Sequence, residues 1–130
     1  MQVIAGSPFF APSDLITYME SAFASHMERW RIADGNIKAL MDPEDPMLVT
    51  LRKKGYAHEG EYLESLKAAG KDVVEIEEAS PDVMLSQTRD AMSGGAEVIA
   101  QAYLRLDNFG GMADFLVKVP GRSLLGDYHY

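Results

Sequence analysis

The chain begins with a stripe of apolar positions at helical spacing. Five side chains recur every three or four residues, as on one face of an amphipathic helix: Leu15, Met19, Phe23, His26 and Trp30. Ser13 is suited to be the N-cap, because its hydroxyl can accept a hydrogen bond from a backbone N–H of the first turn. Gly35 and the segment 42–46, which carries two prolines, interrupt the pattern. We therefore predict a helix followed by a loop.

A second helical stripe follows this loop. Its positions again recur at three- and four-residue spacing: Leu48, Leu51, Gly55, His58, Tyr62, Leu66 and Ala69. Pro46 suits the first turn of a helix, and Gly70 suits the position after its last turn. The pattern predicts a helix over about 47–69.

The rest of the sequence predicts mainly strands, with one helix among them. The run 72–77 predicts a short strand, and Ser80–Pro81 opens a helix that ends at Gly94–Gly95. The runs 97–106 and 109–119 are strand-like, and Asp107–Asn108 suits a two-residue turn between them. Pro120–Gly121 is expected to end the second run, and 126–130 to begin another strand. We expect an α/β (α+β) protein with helices packed on a mixed sheet that contains an antiparallel hairpin.

Composition narrows the class of protein. The 130 residues, 47% of them hydrophobic, suit a single globular domain. No run approaches the ~18 consecutive apolar residues of a membrane span, and the first residues lack the pattern of an export signal, so we expect a cytoplasmic protein. The absence of cysteine excludes disulfides, thiolate metal sites and cysteine nucleophiles. A net charge of -8 argues against a broad basic face that grips nucleic acid.

His58 and Asp114 are the residues most suggestive of chemistry. His58 lies on the second stripe with Leu51 and Leu66, which predicts an inward-pointing ring; a lone histidine of this kind is more often packed than metal-bound. Asp114 interrupts an apolar run directly after two glycines. A carboxylate buried there needs either a cation, such as Lys118, or a metal ion, and spacing alone favours neither.

Three segments together resemble the RecB-like nucleases of the PD-(D/E)XK superfamily. They are Ser13–Leu15 with Met19–Ser25, then Gly55–Glu59, and then Gly111–Leu116. In that family a helix carries a Gly-x-x-His motif and a strand carries a Gly-x-x-Asp motif. The resemblance implies that His58 and Asp114 are metal ligands and that Glu59 belongs to the catalytic site. It implies that Gln101 either lines the site or supports a residue that does.

The resemblance also implies a fold and an activity. Residues 1–130 would form one domain, with a helical lead-in at 1–45 and part of a restriction-endonuclease-like core at 46–130. The activity would be Mg²⁺- or Mn²⁺-dependent hydrolysis of DNA in DNA repair. Partners would be DNA and either a helicase or a missing C-terminal part of the chain. No iron–sulfur cluster is expected, because the relatives that carry one use cysteines.

One part of the family pattern is absent from these residues. It is an acidic residue, a spacer and a lysine on the strand that would follow 126–130. Two carboxylates normally hold the ion while the lysine acts on the attacking water, so we expect the 130-residue chain alone to be inactive. Lys118 better suits an exposed strand end than that lysine's role.

Two further expectations follow. The alternative function is a non-catalytic DNA-processing or protein-interaction module, which the negative charge favours and in which His58 and Asp114 need not converge. An unfinished sheet would expose unpaired backbone groups at its edge, which predicts a homodimer formed by strand pairing. A monodisperse monomer in solution would count against that dimer.

Overall fold

A computed structural model describes residues 1–4, 6–34, 36 and 42–130 of the chain. Gly35, which was expected to interrupt the first helical pattern, lies outside these residues. The described helices and strands, in chain order, are β1 (Gln2–Ile4), β2 (Ser7–Phe9), α1 (Pro12–Glu20), α2 (Ala22–Ala33), α3 (Pro46–Ala68), β3 (Val73–Glu75), α4 (Pro81–Gly94), β4 (Val98–Leu106), β5 (Phe109–Val117), β6 (Val119–Ser123) and β7 (Gly126–His129). The protein is therefore of the mixed α+β class.

The first predicted helix is two helices joined at Ser21. This residue has an extended backbone (φ −156°, ψ 107°), ends α1 by donating its N–H to the Thr17 carbonyl at 2.9 Å, and accepts from the Ala24 N–H at 3.1 Å. A serine that caps a second helix can end the first one, even where the apolar stripe continues through both. The predicted N-cap at Ser13 is wrong, because the cap is Ala11, whose N–H donates to the Asp14 carboxylate at 2.7 Å.

The two central helices begin and end close to their predicted positions. Asp45 caps α3 by accepting from the Met47 N–H at 2.8 Å, and Gly70 follows the helix with a φ of +75°. Ser80 is the N-cap of α4, and Gly95 ends that helix in the left-handed conformation. Proline in the first turn and glycine after the last turn therefore marked both ends of each helix correctly.

The largest described sheet has the order β3–β4–β5, and α4 connects its first two strands. β3 is parallel to β4, with Val73 opposite Val98 and Glu75 opposite Ala100. The Asp107–Asn108 turn joins β4 to β5, which confirms the predicted hairpin and makes the sheet mixed. The buried cluster that holds this sheet against α4 comprises Ile76, Met84, Ala96, Ile99, Ala102 and Tyr103.

Two small antiparallel sheets complete the described structure. β6 pairs with β7, so the strand expected at 126–130 is present. β5 ends at Val117, shortly before the end predicted for the second run at Pro120–Gly121, but these two residues lie inside β6, which was not predicted. The β6–β7 pairing shifts register between Pro120 and Ser123, and Gly121 has a φ of +151°, so the irregular stretch tolerates both residues. The β1–β2 hairpin was not predicted, because three-residue strands are too short to produce an alternating pattern.

The chain divides into two compact units, Met1–Glu44 with Arg105–Gly111 and Asp45–Leu104 with Met112–Tyr130. In the first unit no residue of α1 or α2 is buried, and the apolar stripe stays exposed, with Met19 76% and Phe23 72% accessible. The second unit contains the buried cluster around β4. No described helix is both long enough and apolar enough to cross a membrane.

Candidate functional site

The second unit contains an open pocket of about 630 Å³ between α3 and β5. The strand contributes Asp114 and Phe115. The helix contributes Arg52, Gly55, Tyr56, His58, Glu59 and Tyr62. The two metal ligands implied by the resemblance, His58 and Asp114, therefore line one pocket although they lie on different elements.

Helical spacing and one aromatic contact position the pocket residues. Gly55, Glu59 and Tyr62 follow each other at four and three residues, so they occupy one side of α3. The ring of Tyr62 meets the ring of Phe115 edge to face, with 5.0 Å between centroids and an angle of 84°. This contact fixes the helix against β5 next to Asp114. The neighbouring turn of α3 then presents His58 to the same pocket.

His58 is exposed, so the prediction that its ring points into the core is wrong. The half-buried side of α3 carries Glu59, Leu63 and Leu66, whereas Leu51 is 52% accessible. One residue corresponds to a rotation of about 100° around a helix, so the true buried face is turned from the predicted one by roughly a single position. An exposed imidazole needs no buried partner and is available to a ligand from solvent.

Glu59 is fixed by a residue of the neighbouring sheet. It is half-buried, and its Oε1 accepts a hydrogen bond from the Gln101 side-chain amide. Gln101 lies inside β4 with a φ of +56°, a left-handed conformation that costs a non-glycine residue roughly 1–3 kcal/mol. The resemblance left open whether Gln101 lines the site or supports a residue that does; Gln101 contacts Glu59 and is not among the residues that line the pocket.

Asp114 is also exposed, and within the described part of the chain it has no ion-pair partner. The alternative in which Lys118 pairs with it is not observed. The Lys118 ammonium group instead donates to the Gly95 carbonyl at 2.8 Å and lies 4.6 Å from the centre of the Tyr128 ring. The premise that the carboxylate is buried was wrong, because its charge is solvated in the open pocket.

The pocket supplies part of a metal-binding set. No group of three or more His, Cys, Asp or Glu side chains within the described ranges could hold a metal ion. His58 and Asp114 offer two ligands, and one oxygen of Glu59 is already hydrogen-bonded. Proteins commonly hold Mg²⁺ through one or two carboxylates, with water and substrate phosphate oxygens in the other positions. Among the described residues, these two side chains do not form a complete cage for an ion.

Sequence reasoning missed Arg52 and Tyr56 as pocket residues. Arg52 lies one turn before Tyr56, which in turn lies close to His58 on the same helix. Counting backwards from His58 and Glu59 at three- and four-residue steps would have found both. A guanidinium group suits a phosphate, and an exposed tyrosine ring suits a base or sugar.

A scan of protein-family models, a search of curated proteins and a search of solved structures each gave no match.

Proposed function

We propose that this chain carries part of the active site of a Mg²⁺- or Mn²⁺-dependent nuclease that hydrolyses DNA phosphodiester bonds. The observation that supports the proposal most directly is that His58 and Asp114 line the same pocket, with Glu59 beside them. The motifs singled out these residues before any geometry was considered. Both residues lie near the Tyr62–Phe115 contact that packs α3 against β5, so the two motifs face one open pocket.

The other pocket residues suit a nucleic-acid substrate. Arg52 provides a cation that can hold a phosphate through paired hydrogen bonds, and Tyr56, 67% accessible, provides an aromatic face. A divalent ion in the pocket would supply charge neutralisation at the phosphoryl oxygens. The mixed β3–β4–β5 sheet, flanked by α3 and α4, is compatible with a restriction-endonuclease-like core, which is part of the proposal.

The proposal includes a limit on activity. The pocket offers two candidate ligands, His58 and Asp114, where this chemistry uses a fuller set, and Lys118 contacts Gly95 and Tyr128. The 130-residue chain alone is therefore expected to bind a divalent ion weakly and not to cleave DNA. A helicase or further chain as partner and a cytoplasmic location are proposed on the resemblance and composition alone.

Mn²⁺ titration followed by NMR tests the metal site, because a bound paramagnetic ion broadens the signals of nearby nuclei. We expect broadening at the amides around His58 and Asp114. His58→Ala and Asp114→Asn should each weaken Mn²⁺ binding by at least about tenfold, since even the loss of a residue that only supports a metal ligand costs about that much. His26→Ala and Asp127→Asn are matched controls, because both residues are exposed and lie outside this pocket.

The metal-site proposal fails if the test and control variants bind Mn²⁺ equally, or if the broadening has no preference for this pocket. Asp114→Asn is close to isosteric at an exposed position, so its folding should match that of the unmodified protein. A loss of binding in that variant therefore reports the carboxylate and not the fold.

A second candidate function is an interaction module without catalysis. The net charge of -8 and the apolar residues exposed at the start of α3 favour it: Met47 is 67%, Leu48 55% and Leu51 52% accessible. This candidate predicts no selective Mn²⁺ binding at His58 and Asp114, so the same titration separates the two.

A further inference from the structure

The first unit contains a second, smaller pocket of about 270 Å³ that the proposed nuclease site does not use. Four of its lining residues form a surface that we call the aromatic wall, since three of them are aromatic: Phe10, Phe109, Tyr18 and Leu15. The Phe10 and Phe109 rings stack on each other with 5.4 Å between centroids and an angle of 29°. Tyr18 is 61% and Phe109 41% accessible, so both side chains leave surface free for contact with a ligand.

Backbone hydrogen bonds fix this aromatic wall in place. The Phe10 N–H donates to the Asn108 carbonyl at 2.8 Å, and the Gly110 N–H donates to the Phe10 carbonyl at 3.0 Å. Gly111 allows a close approach, because a Cβ atom there would lie 2.9 Å from Cδ of Pro12. A preformed wall loses little conformational freedom when a ligand binds, so more of the contact energy is available for affinity.

The charged groups of the pocket leave one cation without a partner. Asp14 accepts from the Met1 amino group at 2.5 Å and from the Ala11 N–H at 2.7 Å. Burial raises the pKa of Asp14, but these two hydrogen bonds and the ammonium charge outweigh burial and hold the pKa below its ordinary value. The carboxylate is therefore ionised and compensated. Arg29 also lines the pocket and has no ion-pair partner in the described parts of the chain.

Arg31, two residues further along α2, differs from Arg29 because it has an ion-pair partner. Its guanidinium group donates to both carboxylate oxygens of Glu28, at 2.8 and 2.5 Å. In a chain with a net charge of -8, the unpaired Arg29 beside an aromatic wall is a local site for an anion.

We infer that this pocket binds a nucleoside monophosphate, either free or as the terminal nucleotide of a DNA strand. The base would stack on the aromatic wall while the phosphate contacts Arg29. A volume of 270 Å³ lies at the lower limit of ordinary ligand pockets, which suits one ring system with its substituent and not a peptide segment. The pocket and the His58–Asp114 site have no residue in common, so the inference goes beyond the proposed function.

Calorimetry on the 130-residue chain with AMP, adenosine and inorganic phosphate tests this inference. AMP should bind more tightly than either of its parts, because it alone uses both the aromatic wall and Arg29. Arg29→Gln should weaken AMP binding by about tenfold or more, as expected for the loss of a charge-assisted hydrogen bond, and should leave adenosine binding unchanged. Arg31→Gln is the matched control and should leave AMP binding unchanged.

Equal effects of Arg29→Gln and Arg31→Gln, or equal binding of AMP and inorganic phosphate, would overturn the inference. Short thymidine oligonucleotides with a 5′-phosphate or a 5′-hydroxyl distinguish the two sources of the ligand. If the protein prefers the 5′-phosphate oligonucleotide and Arg29→Gln abolishes that preference, the pocket binds the end of a strand. If the protein binds AMP but does not prefer the 5′-phosphate oligonucleotide, the pocket binds the free nucleotide. A variant with both His58→Ala and Asp114→Asn should bind AMP normally, so this test is independent of the metal site.

Discussion

Thr88 connects α4 to β4 inside the core of the second unit. It is fully buried, and its Oγ1 accepts a hydrogen bond from the Tyr103 backbone N–H at 3.0 Å. A buried N–H that loses its acceptor has no water to replace it, and the cost exceeds that of an exposed hydrogen bond. One hydroxyl therefore makes the difference between a satisfied and an unsatisfied backbone group at this position.

We expect Thr88→Val to lower the free energy of unfolding by about 1–3 kcal/mol, because valine keeps the shape of threonine and removes the acceptor. Thr50→Val is the matched control. The Thr50 hydroxyl donates to the Pro46 carbonyl at an exposed position on α3, so its loss should change stability by less than about 0.5 kcal/mol. Urea unfolding of the two variants measures the difference, and equal midpoints would contradict this account of Thr88.

At the same scale, the residues that the motif singled out were expected in another orientation than the one observed. The motif identified His58 and Asp114, and both line the pocket. His58 was expected to point inward and is exposed, because a stripe of mixed apolar and polar positions leaves the phase of a helix uncertain by one residue. Asp114 is exposed because it lines an open pocket. The left-handed backbone of Gln101 had no signal in the sequence, since glutamine does not favour that conformation.

Among the secondary-structure elements, the end of α4 has the most specific contacts. Gly95 adopts a φ of +73°, and its carbonyl accepts from Lys118, while the Tyr128 hydroxyl donates to the Met92 carbonyl at 2.9 Å. The Tyr130 hydroxyl donates to the Ala96 carbonyl at 2.6 Å. The side chains of Lys118, Tyr128 and Tyr130 thus satisfy carbonyls at and just beyond the end of α4, where a helix leaves such groups without partners.

Gly95→Ala should destabilise the protein by about 1–2 kcal/mol, because an L-residue pays that cost in the left-handed region. Its Cβ would also lie 3.2 Å from the Lys118 Nζ. Gly94→Ala is the matched control: position 94 is the last residue of α4 and has no neighbour within 4 Å of an added Cβ. That change should be neutral or stabilising by up to about 1 kcal/mol. Thermal unfolding compares the two, and a cost at both positions would argue against a special role for Gly95.

The helices that the sequence predicted well begin with proline, whose ring fixes φ, and end with glycine, which adopts the left-handed conformation without steric cost. These two residue types mark the start and the end of both α3 and α4. The same residues misled the prediction at β6, where Pro120 and Gly121 lie within a strand whose pairing is irregular. Ser21 separates α1 from α2 by its extended backbone, which could not be predicted because the apolar stripe continues across it.

In the molecule as a whole, burial is distributed unequally between the two units. Among the described residues, Phe9 is the buried hydrophobic side chain of the first unit, whereas the other buried apolar residues belong to the second. Apolar burial is the main favourable contribution to folding, at about 25 cal/mol per Å². The exposed stripe of α1 and α2, which the sequence predicted to be a core face, contributes little of it.

We therefore expect the first unit to open at a lower free energy than the second. In native-state hydrogen exchange, the amides of β4 from Val98 to Tyr103 should exchange through global unfolding, and those of α1 and α2 through local opening. Protection factors should differ by at least about tenfold, which corresponds to about 1.4 kcal/mol. Low concentrations of urea should leave exchange in α1 and α2 nearly unchanged while accelerating it in β4. If the amides of β4 and those of α1 and α2 show similar protection and similar urea dependence, the two units unfold together. Unequal burial would then not make the first unit less stable than the second.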